Sequence, residues 1–192
     1  MDYLVFLIPL LPFLAAAFIG FGVLFNRISG KQDELITAKA AKSAISLSCL
    51  IAIGLLGADL SGINPNHVTL GKWLNSGSLA VEFNFITSGF SIIAAALFSI
   101  ILLIIARFST NYIHAEPGFH RFFFVLCLFS SAMLLLILSG NAIGTFIGWE
   151  IAGLCSYLLI SFAYDRPTAV INATRVFVTN RIGDAGFILG IS

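Results

Sequence analysis

One acidic residue lies in the middle of a long apolar stretch. Between Phe122 and Tyr164 the only formal charge is Glu150. A carboxylate at the centre of a membrane helix costs about 2.5–3.5 kcal/mol on insertion scales, so it is retained where it faces protein or water. Burial favours the protonated form and a nearby cation favours the ionised form. Residue type and position therefore predict proton transfer at Glu150, with a structural hydrogen bond between helices as the alternative.

A second group of charges lies near the end of the chain. Arg181 and Asp184 are three residues apart, so on a helix they share a face and can pair. Pairing lowers the cost of burying both charges. Arg175 lies on the same stretch. We expect charge pairing among Arg175, Arg181 and Asp184, either as a neutral pair that fixes helix packing or as part of a charged axis through a membrane.

The composition indicates what kind of element carries these charges. Of 192 residues, 59% are apolar and 10% are charged, and the mean hydropathy is +1.03. A soluble domain is about 45–50% apolar and about 25% charged. This excludes a soluble enzyme, a disordered tail and a disulfide-rich secreted module, and it predicts an all-α polytopic membrane helix bundle in a lipid bilayer. A net charge of +1 gives no basic surplus for binding nucleic acid.

Six hydrophobic stretches predict six transmembrane helices, because a span needs about 20 apolar residues. They place the chain, 1–192, in a single membrane domain. The predicted spans are 3–25, 41–60, 86–106, 122–138, 142–163 and 170–192. A polar segment separates the second span from the third, and its alternating stretch Leu79–Phe85 is typical of a hairpin arm.

The basic residues predict the orientation of the bundle. Seven Lys and Arg residues flank the turns after the first, third and fifth spans, whereas only Lys72 lies on the opposite side. Short cytoplasmic loops carry an excess of Lys and Arg. We therefore expect these three turns in the cytoplasm, or in the matrix of an organelle, and the N-terminus outside.

Small and polar residues interrupt the fifth span. Gly144 and Gly148 are four residues apart, a spacing that permits close approach of another helix. Helical spacing places four residues on roughly one face, namely Glu150, Gly153, Tyr157 and Ser161. This face either holds water leading from Glu150 toward the cytoplasm or is a packing face around a satisfied tyrosine.

The other candidate ligands carry weaker signals. His114 and His120, with Glu116 near them, are more typical of a solvated loop than of a metal site. The three cysteines are too far apart in the sequence for a paired metal motif and are typical of small buried hydrophobes. Since phosphate-loop, nucleophile-elbow and haem motifs are also absent from the sequence, we predict no metal or cofactor in this chain.

Four stretches resemble the antiporter-like membrane subunits of respiratory complex I, in particular the distal one, subunit L in bacteria or chain 5 in mitochondria. The strongest match is 148–159, which reads GWEIAGLCSYLL. The others are 120–123 (HRFF), 177–184, which ends in NRIGD, and 81–91. The resemblance covers about Lys72 to the end of the chain, and the first two spans match only in hydropathy.

This resemblance implies a proton-translocating part of an NADH:quinone oxidoreductase. Glu150 corresponds to the fifth-span glutamate of the family, whose charge responds to a neighbouring lysine, and Arg181 and Asp184 correspond to its sixth-span pair. The resemblance also implies other membrane subunits as partners. NADH, flavin, iron–sulfur clusters and quinone would belong to those partners, in a bacterial inner membrane or a mitochondrial inner membrane.

Two departures from the family pattern matter. Ser88 stands where the family has an aspartate, and no lysine follows Lys72, so the cation beside Glu150 must come from Arg175, Arg181 or another polypeptide. The family subunit also has more helices, so we expect an incomplete antiporter-like subunit, whether a fragment, a split gene or a remnant. The alternatives are a subunit of a related cation/proton antiporter or inorganic carbon uptake system, or a truncated structural subunit.

Overall fold

The computed structural model describes residues 4–62, 67–76 and 79–191. Within these ranges the chain forms six α-helices and one two-stranded sheet, which confirms the predicted helix bundle. The elements are α1 (Leu4–Leu24), α2 (Glu34–Leu60), β1 (His67–Ser76), β2 (Leu79–Ile86), α3 (Gly89–Tyr112), α4 (Phe119–Leu138), α5 (Ala142–Ile160) and α6 (Pro167–Ile191). A single 3-10 turn, Lys31–Asp33, leads into α2.

Five of the helices, α1 to α5, are long and apolar enough to cross a membrane. The sixth, α6, has 25 residues, which at 1.5 Å per residue would extend about 37 Å. Its charged and amide side chains lower its hydropathy, and it does not belong to the set of apolar spans in the described residues. The sixth span therefore stays a prediction.

The core lies among the first four helices. α4 packs against both α1 and α5, while α2 packs against α1 and α3. Their facing positions carry small or branched side chains, such as Ile8, Ala41, Ala95 and Leu134, none of which is more than 1% exposed. Such side chains let helices approach closely without polar contacts. The outermost helix, α6, packs mainly against α5.

An antiparallel hairpin closes one end of the bundle. β1 and β2 pair from His67↔Ile86 to Ser76↔Leu79, with irregular pairing around Lys72. The predicted arm at 79–85 is confirmed, whereas the sequence analysis did not identify β1. The hairpin is anchored by Phe85, which contacts the Phe6 ring, and by the Asn84 carbonyl, which accepts a 2.7 Å hydrogen bond from the Gly140 N–H. It therefore covers the turn between α4 and α5.

The three turns rich in basic residues meet at the other end. His114 Nδ1 lies 2.8 Å from Glu34 Oε2, and His120 Nδ1 lies 2.7 Å from the Thr37 hydroxyl. Arg121 Nη2 donates to the Phe162 carbonyl at 3.0 Å. His114 is exposed, as expected for a loop residue, but His120 is partly buried. The shared end is what the orientation prediction requires, while the side of the membrane that it faces stays a prediction.

Candidate functional site

The position of Glu150 follows from how α5 packs. The Asn141 side chain caps the start of α5 by accepting a 2.6 Å hydrogen bond from the Gly144 N–H. Further along, a Cβ at Gly148 would lie 2.8 Å from the Leu136 nitrogen of α4. Because a residue two positions later is turned by about 200°, Glu150 faces away from α4. The predicted close approach therefore holds at Gly148, but Gly144 contacts the preceding turn rather than a helix.

Glu150 and two of the three charges of α6, Arg181 and Asp184, form one cluster. Arg181 Nη1 makes an ion pair with Glu150 Oε2 and lies 3.4 Å from Asp184 Oδ2. Asp184 is buried, while Glu150 and Arg181 are half-buried. Two carboxylates thus share one guanidinium, and the cluster carries a formal charge of −1 when both are ionised.

Aromatic side chains contact different members of the cluster. The Trp149 indole nitrogen donates a 2.8 Å hydrogen bond to Asp184 Oδ1. The Arg181 guanidinium lies over the Phe177 ring at 4.9 Å, and that ring contacts the Tyr157 ring at 5.1 Å. Sequence reasoning missed the roles of Trp149 and Phe177. The Trp149 side chain is exposed at the surface of the described chain, and the available signal was only that its indole N–H is a hydrogen-bond donor.

The other predicted site residues lie apart from the cluster. Arg175 is exposed on α6. It precedes Arg181 by six positions, about 240° around the helix. On the predicted polar face of α5, the Ser161 hydroxyl donates to the Tyr157 carbonyl at 2.9 Å, and a Cβ at Gly153 would meet no atom within 4 Å. Within the described ranges, no three His, Cys, Asp or Glu residues are grouped to hold a metal ion.

Two cavities flank α5. One, of about 240 Å³, is lined by Met133, Trp149, Gly153, Ser156 and Asn180 among others. The second, of about 340 Å³, is lined by residues that include Arg121, Tyr157 and Ser161. The predicted polar face of α5 therefore has open space on both sides, which is compatible both with a water-holding face and with a packing face.

The cluster is able to change its pairing with a single proton. When Glu150 is ionised, it competes with Asp184 for Arg181. A proton on Glu150 removes its charge. Of the two carboxylates, Asp184 is then the one that still attracts Arg181 electrostatically. The arrangement can therefore couple proton uptake at one carboxylate to movement of a cation.

Two family models match the chain. Residues 73–123 match the N-terminus of NADH-ubiquinone oxidoreductase (complex I), chain 5. Residues 139–192 match the transmembrane model of NADH:quinone oxidoreductase and the Mrp antiporter. Together they cover more than half of the chain, and the second contains every member of the cluster.

Curated relatives align with nearly the whole chain. It is 37% identical over 188 residues to NAD(P)H-quinone oxidoreductase subunit 5 of the Paulinella chromatophora chromatophore, and 36% identical over 186 residues to chain 5 of a Picosynechococcus species. These alignments cover 98% and 96% of this chain but 28% of each relative, so the chain spans little more than a quarter of their length. The alignments with these relatives include the first two spans, which were expected to match only in hydropathy, whereas the family models begin at residue 73, close to the expected start at Lys72.

A solved structure shares the fold. A chain of the archaeal membrane-bound sulfane sulfur reductase, a respiratory membrane complex, superposes with a TM-score of 0.78 at 18% identity. The match covers 97% of this chain and 36% of that chain. At this level of identity the comparison shows the architecture alone.

Proposed function

The chain belongs to the family of antiporter-like membrane subunits that includes complex I chain 5, and from this premise we propose that it forms part of a proton-translocating subunit of a complex I-type NADH:quinone oxidoreductase. It is an integral membrane protein. In this proposal it supplies a mid-membrane carboxylate to the proton path. It carries no electrons itself.

The observation that carries the proposal is the ion pair between Glu150 of α5 and Arg181 of α6, shared with Asp184. An intramembrane carboxylate is costly, and such residues usually pair with another charge and mark an ion or proton pathway. Arg181 is the cation that pairs with Glu150, one of the sources expected from the sequence. Glu150 would take up a proton when Arg181 turns to Asp184, and would release it when Arg181 returns.

Partners, cofactors and location follow from the family and are part of the proposal. The energy source would be electron transfer from NADH to quinone in partner subunits that hold the flavin and the iron–sulfur clusters. This chain would contact further membrane subunits. We place it in a bacterial cytoplasmic membrane or an organelle membrane derived from one, and membrane fractionation of the source organism tests this location.

Replacing the carboxylate tests the proposal. In the assembled complex in sealed vesicles, Glu150→Gln should lower the initial rate of proton uptake by at least about tenfold, a lower bound beneath the roughly 10²–10⁴-fold that a general acid–base group contributes. A pH-sensitive dye reports the rate. Glu116→Gln makes the same chemical change in the exposed turn before α4 and should have no effect. A wild-type rate in Glu150→Gln vesicles would exclude the proposed path.

A second candidate is exchange of a cation for a proton, because the transmembrane family model also includes the Mrp antiporter. The same cluster would then serve an antiporter driven by a sodium or potassium gradient. In vesicles with no electron donor, a sodium pulse should move protons if this candidate is right. No sodium-driven proton movement, together with transport driven by electron flow, favours the first candidate.

A further inference from the structure

Asp184 uses its two oxygens for two different partners. Oδ1 accepts the indole N–H of Trp149 at 2.8 Å, and Oδ2 lies 3.4 Å from Arg181 Nη1. The shorter contact is therefore with a neutral donor on α5. The cationic donor on the same helix as Asp184 is at the edge of hydrogen-bond distance.

The longer contact has a visible cause. The same nitrogen, Arg181 Nη1, is engaged with Glu150 Oε2. Glu150 follows Trp149 directly, and consecutive residues of a helix are turned by about 100°. Two adjacent positions of α5 thus reach two oppositely charged residues of α6: Glu150 binds Arg181 and Trp149 binds Asp184.

We propose that Trp149 is a positioning residue whose N–H holds the Asp184 carboxylate and competes with Arg181 for it, so that Arg181 stays on Glu150 until Glu150 is protonated. Its role in transport rests on the proposed function. The pairing among Glu150, Arg181 and Asp184 does not depend on the proposed function. The charged groups next to Asp184 are Arg181 on its own helix and, through the shared guanidinium, Glu150 of the helix packed against it. The Tyr157 ring of α5 contacts Phe177, about two turns before Asp184 on α6.

Removing the Trp149 indole N–H should change the protonation of Glu150 in a definite direction. In Trp149→Phe, Asp184 loses a donor and attracts Arg181 more strongly. Glu150 then loses part of its cationic partner, so it is protonated more readily. The titration of Glu150 in Trp149→Phe should therefore move toward higher pH than in the wild-type complex, because hydrogen bonds to charged groups are among the stronger ones.

Infrared titration of the purified whole complex measures this directly. The carboxyl band that disappears in Glu150→Gln is assigned to Glu150. This measurement does not require the complex to transport protons. The matched control is Phe146→Leu, because Phe146 stacks on Phe187 across the same pair of helices, with ring centroids 5.7 Å apart. Trp149→Phe should shift the titration, and Phe146→Leu should leave it in place.

The double variant Trp149→Phe with Asp184→Asn tests whether Trp149 acts through Asp184. The effect of Trp149→Phe should vanish in the Asp184→Asn background, because coupled residues are not additive. If Trp149→Phe does not assemble, benzothienylalanine at position 149 keeps the ring and removes only the N–H. An unshifted titration, an equal shift in Phe146→Leu, or a shift that persists beside Asp184→Asn would each overturn the proposal. A normal transport rate in Glu150→Gln would overturn the proposed function alone.

Discussion

At the scale of the residue, the position of Arg181 determines which carboxylate of the cluster has a cationic partner. Within the described ranges it is the cation in contact with both Glu150 and Asp184. The sequence indicated the pair on α6 by spacing and indicated Glu150 by its isolation in apolar surroundings. The sequence left Arg175, Arg181 and another polypeptide as sources of the cation beside Glu150. Spacing does not determine which side of α6 faces α5, because that is a tertiary contact.

Replacing Arg181 should destabilise the fold. Arg181→Met leaves two carboxylates without their cation, which we expect to cost on the order of 2 kcal/mol, between the exposed and buried limits for ion pairs. The thermal midpoint in detergent should fall by about 5 °C. Adding Glu150→Gln and Asp184→Asn should recover most of the loss. Arg166→Met, in the exposed turn before α6, is the control; an equal fall there would contradict the account.

At the scale of the element, hydropathy located the helices but not all of their ends. α2 begins at Glu34 rather than near 41, and α3 continues to Tyr112 rather than 106. Both extensions contain charged or polar residues that reduce hydropathy, yet several of these, such as Glu and Lys, favour helices. β1 was missed because its polar residues give little alternation, and its structure depends on pairing with β2.

The α4–α5 contact gives a test with a matched pair of glycines. Gly148→Ala would place a methyl group 2.8–2.9 Å from α4 backbone atoms, whereas Gly153→Ala meets no atom within 4 Å. Both changes gain about 1 kcal/mol of helix propensity. The clash should make Gly148→Ala destabilising by about 1–3 kcal/mol, while Gly153→Ala should be neutral or stabilising. Thermal unfolding of both variants in detergent compares them, and equal behaviour would rule out tight packing at Gly148.

At the scale of the whole molecule, the two ends of the bundle differ. One end has the three basic turns, joined by the contacts of His114, His120 and Arg121, and the other has the hairpin. The number of spans determines which turns share an end, so this arrangement was predictable. The contacts that fasten each end were not, because they join residues far apart in the sequence.

Labelling of single cysteines tests the orientation. A membrane-impermeant thiol reagent should reach Glu116→Cys only from the cytoplasmic side and Thr69→Cys only from the opposite side. Both positions are exposed, and Cys49, Cys127 and Cys155 are buried, so background labelling should be low. Labelling in intact cells and in inverted vesicles distinguishes the sides. The reverse pattern would invert the proposed topology.

The central claim is that protons pass through the Glu150–Arg181–Asp184 cluster. The number of protons moved per electron, measured in sealed vesicles of the assembled complex with Glu150→Gln, tests this claim most directly. Because electron flow is measured at the same time, a lost path is distinguished from a damaged assembly. The account predicts continued electron transfer with fewer protons moved for each electron. An unchanged ratio at normal electron flow would contradict it.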